Sequence, residues 1–185
     1  NNQLSLSLHA PSIGNNLASH NPGQREESVR QLKETICLAE ELNAKMVVVH
    51  PGRLSFSHFF LRHPSKFYSY EKMKKEAVNL LKDSLRECAL YAMGKEVMIC
   101  LENIGFISND VLPSFENLHE FVKEIDLPSL KLTLDLAHAH IVGDIVQAVN
   151  IMNPFVKHIH ISDNLGLQSS HFEMGKGNID ITPVA

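Results

Sequence analysis

The stretch "LKLTLDLAHAH", residues 130–140, decides the fold, because a strand pattern in it ends in a carboxylate and runs on into histidines. Leucines alternate with the polar residues Lys131, Thr133 and Asp135. In an extended strand this alternation places the leucines on one face and the polar side chains on the other. An aliphatic face is typical of a strand covered by helices, as in parallel sheets. Asp135 then lies at the carboxyl end of the opposite face.

The rest of the chain repeats this alternation of strand and helix patterns. Strands are predicted at 4–11, 45–52, 96–103, 130–136 and 157–161, and helices at 24–44, 69–93, 114–124 and 143–151. Repeated βα units favour either an open doubly wound sheet or a (β/α)₈ barrel. A dinucleotide-binding sheet normally has a GxGxxG turn after its first strand, and this sequence has none. We therefore expect one domain over residues 1–185, of α/β class, with a (β/α)₈ TIM-barrel fold.

Composition sets broad limits on function. Of the 185 residues, 44% are hydrophobic and 21% charged, which is ordinary for a globular protein. The formal charge of −4 weighs against a nucleic-acid binder, which usually has a basic surface. Three scattered cysteines without a CxxC pair indicate reduced thiols and a cytoplasmic location. No apolar run is long enough to cross a membrane, and no signal peptide is visible.

The inward faces of the five predicted strands end in the same kinds of side chain. Their last inward residues are His9, His50, Glu102, Asp135 and His160. In (β/α)₈ barrels the carboxyl ends of the strands carry the active site. Burying so many polar groups without a shared partner would be costly. Imidazole and carboxylate donors together suit zinc or manganese better than calcium, with magnesium or cobalt as alternatives. We predict a divalent-metal site at this end of the barrel.

Other histidines differ in how well they fit this site. His138 follows Asp135 by three residues and His171 lies in "SSHFEMGKGNID", so both join the candidate metal ligands. His158 lies one pleat deeper than His160 and is expected to support rather than bind a metal. His140 is expected to be exposed or supporting. The remaining histidines fall in loops or on helix surfaces and are not assigned to the site: His20, His58, His63 and His119.

Two basic residues are candidates for binding an anionic substrate. Arg53 directly follows "HPG", and Lys176 lies in "GKGNID". Either could meet a phosphate or remain on the surface, and both interpretations are kept open.

These segments resemble the xylose isomerase-like TIM-barrel superfamily, which includes endonuclease IV and the sugar and sugar-phosphate isomerases and epimerases. "LHAP", "VVHPG", "LEN", "LDLAHAH", "HIHISDN" and "HFEMGKGNID" follow one another in the family's order, from its second strand through its sixth. The resemblance implies that Glu102, Asp135 and His160 are three of four shared metal ligands. The fourth, a glutamate on the last strand, and the first strand have no counterpart here. A complete barrel takes about 250 residues, so we expect an incomplete barrel.

The resemblance implies two competing activities. In the isomerase or epimerase class, a divalent metal holds neighbouring oxygens of a small sugar or sugar phosphate. Glu102 is then the catalytic residue that moves a proton through an enediolate. His50 and His138 would bind sugar hydroxyls or phosphate.

In the endonuclease IV-like class, three zinc ions activate a hydroxide that attacks the phosphodiester of an abasic site in DNA. Three donor sets would hold them: His9, His50 and Glu102; Asp135 and His160; and His138 and His171. Two departures count against this class. Ser169 stands where the family has an aspartate ligand, and Ser12 and Ile13 replace the aromatic residue that enters the DNA. A non-catalytic metal or sugar-phosphate binding protein is a third class. The sequence favours the isomerase or epimerase, with the hydrolase as the alternative.

Overall fold

The computed structural model describes residues 4–54, 70–104 and 109–182. Five strands form one parallel sheet: β1 (Ser7–His9), β2 (Met46–Val49), β3 (Met98–Glu102), β4 (Leu130–Asp135) and β5 (Val156–His160). They lie side by side in chain order, β1-β2-β3-β4-β5, and each pair is parallel. A doubly wound sheet reverses its strand order at a switch point, and this sheet does not. The predicted barrel type is confirmed, over the five strands that the sequence indicates.

The sheet curls strongly, which brings its two edges together. In a flat sheet β1 and β5 would lie about 19 Å apart, at roughly 4.8 Å per strand. Instead, Ser7 Oγ lies 3.4 Å from His158 Nε2, and the ring centroids of His9 and His160 are 6.0 Å apart. Inward side chains of the first and last strands therefore meet across the barrel interior.

Helices follow the strands as predicted, with one difference. They are α1 (Pro22–Glu41), α2 (Tyr70–Met93), α3 (Phe115–Ile125), α4 (Leu136–Val142) and α5 (Ile145–Met152). Asn21 and Ser114 cap α1 and α3, as their side chains accept hydrogen bonds from Gly23 N and Asn117 N. The difference is α4, which begins directly after β4, where the sequence predicted no helix. Asp135 explains it, because its carboxylate caps α4 by accepting from His138 N.

The outward aliphatic residues confirm the predicted alternation in the three central strands. All of them are at most 6% exposed: Val47, Val49, Ile99, Leu101, Leu130, Leu132 and Leu134. The edge strands differ, because the described helices cover their outer faces only in part. Leu6, just before β1, is 56% exposed, and Ile159 of β5 is 40% exposed. Cys37, Cys88 and Cys100 are free thiols. None of the described helices combines the length and apolar character needed to cross a membrane.

Removing a side chain from the helix-covered face of the sheet should destabilise the whole molecule. Leu132 on β4 is completely buried, so we expect Leu132→Ala to lower the free energy of unfolding by about 2–5 kcal/mol. Leu90 on α2 is 47% exposed and provides a matched control, with an expected change below about 1 kcal/mol. Denaturant titration of both variants measures the difference. Equal losses would contradict the assignment of this face to the core.

Candidate metal centre and its cleft

Glu102 lies at the centre of the inward strand ends. Its side chain is almost fully buried at the end of β3. One oxygen, Oε2, is 3.2 Å from His9 Nε2 and 3.1 Å from His50 Nε2. The other, Oε1, is 3.0 Å from His160 Nδ1. Three histidines from three different strand ends therefore surround one carboxylate.

Asp135 completes a second group of donors on the other side of Glu102. Its Oδ2 is 3.5 Å from His160 Nδ1, while Oδ1 accepts the helix-capping bond from His138 N at 2.7 Å. Two sets of side chains place their ligand atoms within 4.8 Å of one another: His9, His50 and Glu102, and Glu102, Asp135 and His160. Glu102 belongs to both sets and directs a different oxygen to each. The structure thus brings together all five residues predicted from the strand ends.

The donor types and their orientation fit a divalent metal. Each set combines imidazole nitrogen with carboxylate oxygen, the mixture that suits zinc or manganese. His9 Nδ1 donates to the carbonyl oxygen of Ala10 at 2.7 Å, which directs Nε2 toward Glu102. Metal-binding histidines are commonly oriented in this way by a carbonyl on the second nitrogen.

Proton binding at the centre reflects the close packing of opposite charges. Burial raises the pKa of Glu102, but hydrogen bonds from His160, His50 and His9 outweigh it and hold that pKa well below its usual range. Hydrogen bonds to Asp135 and Glu102 raise the pKa of His160 to about 9. A hydrogen bond to Glu102 likewise raises the pKa of His9. Without a metal, protonated histidines serve as counter-ions to the carboxylates, so a bound cation would displace protons.

The amide of Asn103 fixes the backbone of Asp135. Its Oδ1 accepts from Asp135 N at 2.7 Å, and its Nδ2 donates to Asp135 O at 3.0 Å. The carbonyl oxygen of Asn103 also accepts from His138 Nδ1 at 2.9 Å. Sequence analysis gave Asn103 no role, although it directly follows Glu102 in "LEN".

His138 and His171 lie in the same cleft and are joined through serine hydroxyls. Because a carbonyl only accepts, His138 Nδ1 donates to it, and Ser169 Oγ lies 3.1 Å from Nε2 of the same ring. Ser169 Oγ in turn accepts from His171 Nε2 at 3.1 Å, and the Ser162 hydroxyl donates to His171 Nδ1 at 2.9 Å. Each of the four ring nitrogens of these two histidines therefore has a hydrogen-bond partner. Neither histidine belongs to the two donor sets found among the described residues, so their role as metal ligands stays a prediction.

The other histidines lie around the centre or away from it. His158 is half-buried one layer below His160, with ring centroids 5.2 Å apart, which agrees with the expected supporting position. Burial lowers the pKa of His158. His140 Nε2 donates to Asn178 Oδ1 at 2.9 Å and supports the loop after β5. His119 contacts Ile151 O on the outer helices, and His20 lies near Glu76. His58 and His63 fall outside the described residues.

The metal donors form the floor of an open cleft of about 1130 Å³. Its described walls include the apolar side chains of Ile104, Ile141 and Leu167, and Arg53. Lys176 is exposed in the turn after β5 and does not line this cleft. Of the two basic candidates, Arg53 is the one that the fold brings to the site.

Asp163 organises the loop that forms one wall of the cleft, and sequence analysis missed it. Its buried carboxylate accepts four backbone N–H bonds, from Asn164, Gly175, Gly177 and Ile179, at 2.8–3.1 Å. A side chain at Gly177 would collide with Asn164 O at 2.2 Å. Burial raises the pKa of Asp163, but these donors outweigh it and lower that pKa. The signal in the sequence is the pairing of "SDN" with the glycines of "GKGN".

Comparisons with known proteins agree with this geometry. A model of the family described as xylose isomerase-like TIM barrel matches residues 1–185. An uncharacterized protein of Methanocaldococcus jannaschii is 29% identical over 185 residues, covering 98% of this chain and 59% of its own. A probable endonuclease 4 of Mycoplasma pneumoniae is 26% identical over 186 residues, covering 93% and 59%. The chain therefore spans about three fifths of these relatives.

Comparison with solved structures finds the same fold. A D-tagatose 3-epimerase-like protein has a TM-score of 0.86 and 29% identity, covering 99% of this chain and 65% of that one. The 3-keto-D-glucoside 4-epimerase YcjR from E. coli has a TM-score of 0.76 at 19% identity, covering 96% and 64%, and this likeness concerns the fold alone.

The Asp163 carboxylate should hold the cleft wall in place. We expect Asp163→Asn to make residues 165–176 more sensitive to a protease and to lower stability near neutral pH, because an amide lacks the charge that attracts four N–H donors. The folded-state pKa is lowered, so the difference from wild type should be full above the unfolded-state pKa of about 3.9. It should disappear as the pH falls through the lower folded-state value. Asp83→Asn, on the exposed surface of α2, is the control; an equal effect there would contradict the proposed anchoring.

Proposed function

Because the chain belongs to the xylose isomerase-like TIM-barrel family, we propose that it is a divalent-metal-dependent sugar or sugar-phosphate isomerase or epimerase. The observation that carries the proposal is the buried Glu102, whose oxygens meet histidines and Asp135 at the floor of an open cleft. The likeness to the D-tagatose 3-epimerase-like protein, at 29% identity, supports the same class.

Glu102, Asp135 and His160 would hold the metal, with zinc or manganese favoured by the donor types. When bound, the ion supplies Lewis acidity, which polarises neighbouring sugar oxygens and acidifies the C–H bond beside the carbonyl. An isomerisation takes the proton from the hydroxyl-bearing carbon and returns it to the adjacent carbonyl carbon, while the hydroxyl proton moves from one oxygen to the other. An epimerisation returns the proton to the same carbon from the other face. Either reaction is redox-neutral and needs no further reactant.

The residues at the site would have different roles according to how deeply they are buried. Glu102 is deeply buried and holds the donor groups in register, either as a shared ligand or as the proton acceptor of the reaction. His50 and His9 are partly exposed and stand between Glu102 and the cleft, where they can contact substrate hydroxyls. The apolar walls contributed by Ile104 and Ile141 would exclude water from the reacting carbon.

The charge of the chain favours a small substrate over DNA. The cleft volume of about 1130 Å³ lies slightly above the usual range of small-molecule pockets, about 300–1,000 Å³, and has room for a sugar. The formal charge of −4 gives little general attraction for a polyanion. Ser169 places a neutral hydroxyl between His138 and His171, where a carboxylate would offer a further metal donor.

A second candidate function is an endonuclease IV-like hydrolase acting at abasic sites in DNA. The specific observation in its favour is the donor set of His9, His50 and Glu102, which provides a second position for a metal beside the first. The similarity to the probable endonuclease 4 of Mycoplasma pneumoniae points in the same direction. Hydrolysis of a phosphodiester at several zinc ions would use both sets.

Metal content and DNA nicking separate the two candidates in one experiment. For an isomerase or epimerase we expect about one tightly held divalent ion per chain, because one set of three donors suffices to bind neighbouring sugar oxygens. Elemental analysis of the purified protein measures the number, and abasic-site DNA tests for nicking. Three zinc ions per chain together with nicking would replace the proposal by the hydrolase.

The Glu102 carboxylate should be indispensable for turnover. We expect Glu102→Gln to reduce turnover by at least about 100-fold, because the amide can neither accept the proton nor serve as an anionic ligand. Circular dichroism should find the fold intact, and sugar turnover should be measured with metal in excess. Glu41→Gln, at the exposed end of α1, is the matched control and should keep full activity. Retained activity in Glu102→Gln would mean that another carboxylate performs this role.

A further inference from the structure

We propose that Arg53 binds an oxyanion of the substrate, so that the sugar handled in this cleft carries a phosphate or carboxylate group. The inference rests on the proposed function and narrows its substrate class. Three observations carry it: the fixed backbone of Arg53, the turn before it that only glycine fits, and the balance of charge in the cleft.

The backbone of Arg53 is clamped by the buried side chain of Asn16, from the loop between β1 and α1. Asn16 Oδ1 accepts from Arg53 N at 3.1 Å, and Asn16 Nδ2 donates to Arg53 O at 2.7 Å. Asn16 is itself held, because its backbone N–H donates to Ser28 Oγ on α1 at 2.8 Å. A primary amide that pairs with both backbone groups of one residue reproduces the pairing of a neighbouring strand. The residue so held is exposed, whereas the residue that holds it is buried.

The turn before Arg53 accepts only glycine. Gly52 has a φ of +97°, and a Cβ there would lie 2.5 Å from Asn16 Oδ1 and 3.1 Å from Ala18 Cβ. On its other side Arg53 forms an antiparallel bridge with Asp110. A surface arginine needs neither a buried clamp nor a turn of this kind. Their combination fixes the point at which the Arg53 side chain leaves the backbone, beside the cleft.

Charge in the cleft points to an anion as the partner. Arg53 lines the cleft together with His50 and Ile104, and among the described lining residues it is the one with a permanent positive charge. No ion pair joins its guanidinium to a carboxylate in the part of the chain that the structure describes. A divalent ion on Glu102 and Asp135 would cancel their charges, which leaves Arg53 to attract an anion. The planar guanidinium fork matches the oxygens of phosphate or carboxylate.

The test begins with binding, which needs no knowledge of the reaction. Inorganic phosphate, and acetate in a parallel arm, are titrated into the metal-loaded protein by calorimetry. We expect wild type to bind one of the two, and Arg53→Gln to weaken that binding by about 10-fold to 100-fold. Arg53→Lys should recover part of it. Arg86→Gln, which removes an exposed arginine from α2, should bind as wild type does.

Kinetics then test the substrate class. With phosphorylated, acidic and neutral sugars as substrates, Arg53→Gln should raise KM for the charged sugar by about 10-fold or more and leave kcat within a small factor. The KM for a neutral sugar should be unchanged. The group preferred in the binding arm, phosphate or carboxylate, should also be the group preferred in turnover.

The outcomes distinguish this inference from the proposed function. Isomerisation of phosphorylated or acidic sugars with equal KM in wild type and Arg53→Gln would overturn the role of Arg53 and leave the isomerase in place. Anion binding that depends on Arg53, without isomerisation of any sugar, would support the anion site and count against the isomerase. Equal phosphate and acetate binding in wild type and Arg53→Gln would overturn the inference. Arg53-dependent nicking of abasic DNA would overturn the sugar as its substrate.

Discussion

The arrangement of side chains at this site depends on one constraint, a carboxylate buried at the end of the central strand. A charge in that position is costly unless its oxygens are paired, and Glu102 is paired with histidines from β1, the end of β2 and β5. These three partners reach it only because the sheet curls, since a flat sheet would hold β1 and β5 about 19 Å apart. The curvature of the sheet, the register of its strands and the inward direction of these side chains therefore bring the histidines to Glu102 together. The same arrangement leaves its two oxygens facing two separate groups of ligand atoms.

The loops around the cleft are fixed chiefly by polar side chains that bind backbone. Asn103 clamps Asp135, Asn16 clamps Arg53, and the carboxylate of Asp163 gathers the backbone of residues 164–179. In each case a buried polar side chain satisfies backbone groups at the end of a strand or in a loop. Such bonds are directional, so they fix a loop more closely than apolar contact would. The side chains held in this way are the ones that line the cleft or lie at its floor.

Much of this fold and centre could be predicted from the sequence, because both depend on period-two alternation. The parity of β2, β3 and β4 predicted their buried aliphatic faces, and the last inward residue of each strand predicted the cluster around Glu102. Alternation alone did not place the start of α4, because the leucines of "LDLAHAH" continue the strand period after Asp135 has capped the helix. It also predicted covered outer faces at Leu6 and Ile159, and both side chains are exposed. The roles of Asn16, Asp163 and Ser169 depend on contacts between distant loops. Such contacts produce no repeating pattern in the sequence, so the sequence does not predict them.

Differences in charge explain how one barrel architecture can accept different substrates. Glu102 and Asp135 bring two negative charges to the cleft floor, and a divalent ion on them balances these charges. A carboxylate in place of the Ser169 hydroxyl would add a third negative charge to the wall and a further donor between His138 and His171. With serine at this position, a hydroxyl links the two rings and adds no carboxylate to the wall. Arg53 is the described lining residue with a permanent positive charge, and under the proposal above that charge would attract a small anionic sugar.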